Sequence, residues 1–206
     1  MQTSRRNIEA VAAFVVLGIA YGLVSTRFTI GPPWLLLVLA VIGSVSLAVL
    51  NWRGLRRARA MLAVILLVLV TIAVAVSAVL LLSALLVGRT EAGDLLFSAA
   101  LLWLSNVLVF SLWYWEIDGG GPHHRQPGPH ASSDFLFPQM TAGGDLVIDW
   151  CPEYLDYLFL AFNTSTAFSP TDTMILARRS KVLAMLQSII SLITIAVLAA
   201  RAINTL

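Results

Sequence analysis

Met61–Val87 reads MLAVILLVLVTIAVAVSAVLLLSALLV, 27 consecutive residues without a charge. A hydrocarbon core about 30 Å thick is crossed by about 20 apolar residues at a rise of ~1.5 Å each. The run is longer than that, which predicts a membrane helix that tilts or protrudes. Its apolar residues keep neither the 3.6-residue period of an amphipathic helix nor the alternation of a half-buried strand. Inside hydrocarbon no water satisfies the backbone, and a helix closes its hydrogen bonds within the segment.

The same chemistry repeats on both sides. Ala10–Ser25 follows Arg5 and Arg6, and Gly31-Pro32-Pro33 separates it from Trp34–Leu50. A short basic loop with Trp52, Arg53, Arg56, Arg57 and Arg59 leads into the long run, and Leu95–Trp115 follows it. Trp113-Tyr114-Trp115 reads as an aromatic belt at the water boundary. Arg178-Arg179-Ser180-Lys181 precedes a last run, Val182–Ile203. The expectation is an all-α integral membrane protein with about five transmembrane helices. The first run is long enough to span, and it reads as a retained helix rather than a cleaved signal.

Composition agrees. The chain is 59% hydrophobic and 12% charged, against about half and a quarter in soluble domains. Strands of roughly ten alternating residues, the mark of a membrane barrel, are missing from the sequence. The net charge of +2 is small, and the basic residues sit at the ends of apolar runs, so nucleic acid is not an expected partner. A single cysteine, Cys151, excludes an internal disulfide. Asn106 and Gln187 fall inside runs and read as hydrogen-bonding glue between helices.

Three regions follow: 1–115 with four helices, 116–150 as an aqueous loop, and 151–206. The loop holds Gly119-Gly120-Gly121-Pro122 and His123, His124 and His130, with Asp118 and Asp134 nearby. It offers no fixed ligand spacing, so no metal site is expected. Ser169, Asp172 and a distant histidine lack the surroundings of a hydrolytic triad, and phosphate-loop, dinucleotide and zinc-protease motifs are missing from the sequence. The chain is expected to be no enzyme and to carry no cofactor. Arg56, Arg57 and Arg59 read as a topological anchor or as a contact for anionic lipid.

The third region opens with Cys151–Asp172. Tyr157–Phe168 is an apolar stretch of roughly 12 residues, about 18 Å as a helix, too short to cross. Ser169-Pro170 ends it, because proline has no N–H and restricts the residue before it. A re-entrant half-helix is expected, with Pro170 as the structural turn; an interfacial helix and a full span are the alternatives. Asp172, expensive in lipid, is a functional candidate.

On these residues Asp156–Asn204 resembles the pore-loop and inner-helix unit of tetrameric potassium channels, which leads a pore helix into a T-x-T-T-x-G-Y-G-D filter. Asp156 matches the start of the pore helix, Thr164 and Thr166 the spaced threonines, and Asp172 the filter aspartate. Ser169-Pro170-Thr171 replaces Gly-Tyr-Gly, so the dihedrals of a carbonyl-lined filter are not available. The overall plan also resembles an uncharacterised family of small bacterial membrane proteins, through Phe162, Ala167-Phe168-Ser169-Pro170-Thr171-Asp172 and Arg178-Arg179. The channel resemblance implies a passive conduit for small cations, with Thr164, Thr166, Ser169, Thr171 and Asp172 as pore-lining or ion-binding residues. It also implies a homo-oligomer, a tetramer if channel-like. The other expectation is a non-transporting scaffold or accessory subunit.

Charge fixes an expected orientation. With a re-entrant loop, Arg5, Arg6, Arg53, Arg56, Arg57, Arg59, Arg125, Arg178, Arg179 and Lys181 share one side, against Arg27, Arg89 and Arg201. The first set belongs in the cytoplasm, in a chain placed in the inner (plasma) membrane as a multi-pass protein. Potassium channels present this loop to the outside, so the two lines of reasoning disagree.

Overall fold

The computed structural model describes residues 2–29, 31–32, 34–87, 91–125, 133–141, 150–166 and 172–204. Over these the chain is helical: α1 (Gln2–Gly22), α2 (Trp34–Trp52), α3 (Arg56–Val87), α4 (Ala92–Ile117), α5 (Tyr154–Thr166) and α6 (Arg178–Asn204). Two two-residue strands, β1 (Phe135–Leu136) and β2 (Met174–Ile175), pair antiparallel, Phe135 with Ile175 and Leu136 with Met174. Four helices, α2, α3, α4 and α6, are long and apolar enough to cross a membrane. The expected fifth span, α1, falls short by this measure, since its described apolar part is only Ile8–Gly22. The spans also start earlier than the hydropathy suggests: α3 begins at Arg56 and α6 at Arg178. Charged first turns lower hydropathy without breaking helical hydrogen bonding.

An outer surface of large apolar side chains suits lipid. Val41, Ile42 and Val45 on α2, Ile65 and Ile72 on α3, and Met185, Ile189 and Leu192 on α6 are all exposed. A soluble monomer rarely shows so large a contiguous apolar surface. Trp34 and Trp52, both exposed, stand at the two ends of α2. Their separation along a helix is roughly 27 Å, close to one hydrocarbon thickness.

The helices meet through small residues and buried hydroxyls. A Cβ on Gly18 would lie 2.9 Å from Ala40 Cβ, and one on Gly43 would lie 2.8 Å from Leu66 Cδ1 and 3.2 Å from Phe14. This is the close approach that small residues allow between membrane helices. Tyr21 Oη and Ser77 Oγ share a hydrogen bond of 2.8 Å between α1 and α3, and Trp113 Nε1 donates to Thr71 Oγ1 at 2.9 Å between α4 and α3. Helix α4 is the centre, in contact with α1, α3, α5 and α6. Its last turns carry Trp113, Tyr114 and Trp115, which are buried rather than arranged as an interfacial belt. The reason is that α5 and residues 133–137 pack over them: Trp115 meets the rings of Tyr154 and Tyr157, and Tyr114 meets Phe135.

One end of the bundle gathers the starts of α3, α5 and α6 and the ends of α2 and α4. Helix α5 begins there with one half of a capping box, Glu153 N–H donating to Asp156 Oδ2 at 2.7 Å. It runs 13 residues into the bundle, against α4 and α6. By Met174 the chain is back at the same end, held by β1 and by Leu176 N–H donating to Asp134 O at 2.8 Å.

Candidate functional site

The positions singled out by sequence divide three ways. Thr164 Oγ1 donates to Leu160 O at 2.8 Å and Thr166 Oγ1 to Asn163 O at 3.1 Å, so both hydroxyls bond back to the preceding turn of their own helix. Asp172 is exposed, two residues before β2. Ser169, Pro170 and Thr171 lie outside the described residues. Ser165, which the sequence reading passed over, is the fully buried hydroxyl of α5. Gln187 on α6 donates through Nε2 to Ser165 Oγ and to Ala161 O, each at 2.7 Å. Its Oε1 accepts from Tyr114 Oη at 2.5 Å, and its backbone carbonyl accepts from Asn106 Nδ2 at 3.1 Å. Asn106 and Gln187 therefore bond between helices, and Gln187 joins α4, α5 and α6 at one buried point.

A second constellation caps the end of the bundle. After Ile117 the backbone takes three consecutive positive φ angles, 61°, 83° and 97°, at Gly119, Gly120 and Gly121. Glycine populates this region without penalty, and a Cβ on Gly121 would come within 3.0 Å of Glu116 O. The turn leaves Asp118 buried at 1% exposure. Its Oδ1 accepts from Asp134 N–H at 2.8 Å and its Oδ2 accepts from Tyr157 Oη at 2.5 Å. Arg125 Nε stands 3.7 Å from Oδ2, both side chains almost fully buried. The guanidinium lies between the rings of Trp115 and Tyr157, 4.4 and 4.7 Å from their centroids, and donates to Trp115 O at 2.6 Å. Asp134, equally buried, accepts a two-pronged pair from Arg179 at 2.7 and 2.6 Å and a third bond from Ser180 Oγ at 3.0 Å. Arg59 and Glu116 form a further two-pronged pair at 2.9 and 2.6 Å between α3 and α4.

No protein-family model, curated protein or solved structure matches the chain.

The chemistry of the cap is that of a clasp. Buried carboxylates hold their charge where cations and N–H donors meet them, and here the bonds run between the end of α4, residues 133–137 and the starts of α5 and α6. Among the described residues no group of three His, Cys, Asp or Glu side chains converges to hold a metal ion. His123 borders α3 and α4, while His130 lies outside the described residues. Burial, then Arg59 and Arg56, lowers the His123 pKa below its ordinary 6.5. Beside the clasp is a cavity of 630 Å³ between α1, α2, α3 and α4, with Arg59, Glu116 and His123 at its polar end.

Residues 116–150, read as an aqueous loop, thus pack over their described part against the bundle. A signal was present: Asp118, Arg125 and Asp134 are charges set among Phe135, Phe137 and other apolar groups, and that mixture suits a packed lid better than a solvated linker. Which cation meets which carboxylate is fixed by tertiary contact and has no sequence spacing of its own.

Proposed function

We propose that the chain is a non-transporting helical membrane protein, a scaffold or accessory subunit, with α5 as a re-entrant half-helix. The observation that carries this reading is the use of the polar side of α5. Thr164 and Thr166 bond within their helix, and Ser165 and Ala161 bond to Gln187, so these groups serve packing. A hydrated path needs polar groups free to replace an ion's water. The charge count adds an orientation: ten Lys and Arg residues against three put the clasp end in the cytoplasm. The half-helix then dips in from that side and returns to it, in the inner (plasma) membrane.

Vesicles reconstituted with the folded full chain test the reading. The expected result is no Na⁺ or K⁺ flux above protein-free vesicles, for wild type and for Asp172→Asn alike. A flux that Asp172→Asn abolishes overturns it in favour of an oligomeric conduit lined by Thr164, Thr166, Ser169, Thr171 and Asp172. Orientation is read from Cys151, just ahead of α5. A membrane-impermeant maleimide is expected to label it only after lysis, and labelling of intact cells reverses the orientation.

A further inference from the structure

The 630 Å³ cavity is a site that the scaffold reading does not use, and its lining changes character along its length. Its volume falls within the range of small-molecule sites, about 300–1,000 Å³. Phe14, Leu47, Leu66, Leu67 and Leu112 form apolar walls from all four helices. At the clasp end the walls turn polar, with Asn51, the Arg59–Glu116 pair and His123. Helices α1 and α2 touch at Gly18 and Ala40, and the cavity opens nearer the clasp, where Ile8, Val11 and Trp52 at its margin are exposed.

Two polar atoms in this lining are buried without a hydrogen-bond partner among the described residues: Ser44 Oγ and His123 Nε2. Ser44 is only 7% exposed. A buried hydroxyl left unbonded is unfavourable, so native structures supply such groups with a partner. Ser44 lies seven residues before Asn51 on α2, roughly 10 Å deeper along the helix. The lining therefore suits an occupant that is apolar over most of its length and ends in a polar head.

The sign of the head follows from the rim. Arg53, Arg56 and Arg57 are exposed around the mouth, while Glu116, the acidic group in the lining, is already paired with Arg59. The surplus is positive and sits where a headgroup would meet water. We propose that the cavity holds the acyl chain of one anionic membrane lipid, taken from the bilayer between α1 and α2, its headgroup at Arg56, Arg57 and His123 and its chain running down past Ser44.

The test uses the full chain in vesicles of phosphatidylcholine containing a trace of phosphatidylglycerol with a photoactivatable group in its acyl chain. Crosslinks are mapped by mass spectrometry. The expected result is labelling of cavity residues such as Phe14, Leu47 and Leu66, competed by unlabelled phosphatidylglycerol and not by further phosphatidylcholine. Arg56→Gln with Arg57→Gln, both at exposed positions, leaves the fold intact and weakens the competition by roughly fivefold per arginine. Ala63→Phe, which projects into the cavity, removes the label there and leaves that on outward residues such as Val41 and Ile65. Should Ala63→Phe fail to fold, the arginine pair and the competition still decide. Equal competition by the two lipids, or labelling confined to outward residues, overturns the proposal. Ion flux in the same vesicles is a separate readout, so a failure here is distinguishable from a failure of the scaffold reading.

Discussion

Asp118→Asn is the sharpest probe of the clasp. The substitution nearly preserves shape and removes one charge. Arg125 and Asp118 are 3% and 2% exposed, so water screens their pair little. Breaking a buried pair from one side destabilises by about 3–5 kcal/mol, because the remaining charge is left uncompensated. Here the lower end applies, since Arg125 keeps its bond to Trp115 O and both ring faces. The new amide preserves part of the hydrogen bonding. Its oxygen can still accept from Asp134 N–H, while Tyr157 Oη turns round to accept from the NH₂ group. The expected loss is about 3 kcal/mol, measured by reversible denaturant unfolding in mild detergent with circular dichroism as the probe. Adding Arg125→Met removes the stranded cation and keeps an apolar stem between the rings. The double variant is expected to recover on the order of half the loss, and with Arg125→Met alone it completes the cycle that isolates the pair's coupling. An Asp118→Asn protein within about 0.5 kcal/mol of wild type, the scale of a neutral surface change, would refute the buried clasp.

Three further outcomes follow from the geometry. Gln187→Leu strips partners from Ser165, Ala161 O and Tyr114, and is expected to destabilise by about 1–3 kcal/mol in the same unfolding assay and to expose the end of α5 to limited proteolysis; unchanged protection would show that Gln187 does not hold α5. Gly43→Leu drives a side chain into Leu66 and Phe14, with an expected loss of about 1–3 kcal/mol, whereas Gly93→Leu, where no atom lies within 4 Å, is expected to be near neutral; equal effects would contradict the close α2–α3 approach. His123 binds its proton less readily folded than unfolded, so below its ordinary pKa of 6.5 the unfolded chain takes up more protons. Stability is expected to fall as pH drops from about 6.5 towards the lower folded value, and His123→Gln to flatten that part of the profile; an unchanged slope would assign the effect elsewhere.

The helical class and the long spans were legible because a bilayer demands apolar length, and Met61–Val87 or Trp34–Trp52 supplies it with no tertiary information. The short α5 was legible for the same reason, being too brief to cross. The number of spans was less so: α1 mixes Arg5, Arg6 and Glu9 with apolar residues, and its apolar part is marginal in length. Trp113-Tyr114-Trp115 misled because aromatic residues serve equally at an interface and in a core, and only the packing of Phe135 and Tyr157 against them decides between the two. At the candidate site the channel resemblance singled out Thr164 and Thr166, and Ser165 between them is the α5 hydroxyl that Gln187 bonds. A helix turns 100° per residue, so a neighbour in sequence faces elsewhere in space. The clasp joins positions up to 62 residues apart, as in the bond from Arg179 to Ile117 O. Linear spacing cannot register such a contact.

The clasp also sets an order of events during synthesis. Asp118 leaves the ribosome before Arg125, Asp134, Tyr157 and Arg179, the groups that later surround it. Until α6 begins, the Asp134 carboxylate has neither Arg179 nor Ser180, and the β1 edge has no β2. A nascent chain stopped anywhere before Arg178 therefore carries an acidic, open end that is readily hydrated and poorly suited to packing. The first turn of α6 neutralises and covers the Asp134 carboxylate, which the preceding helices leave open.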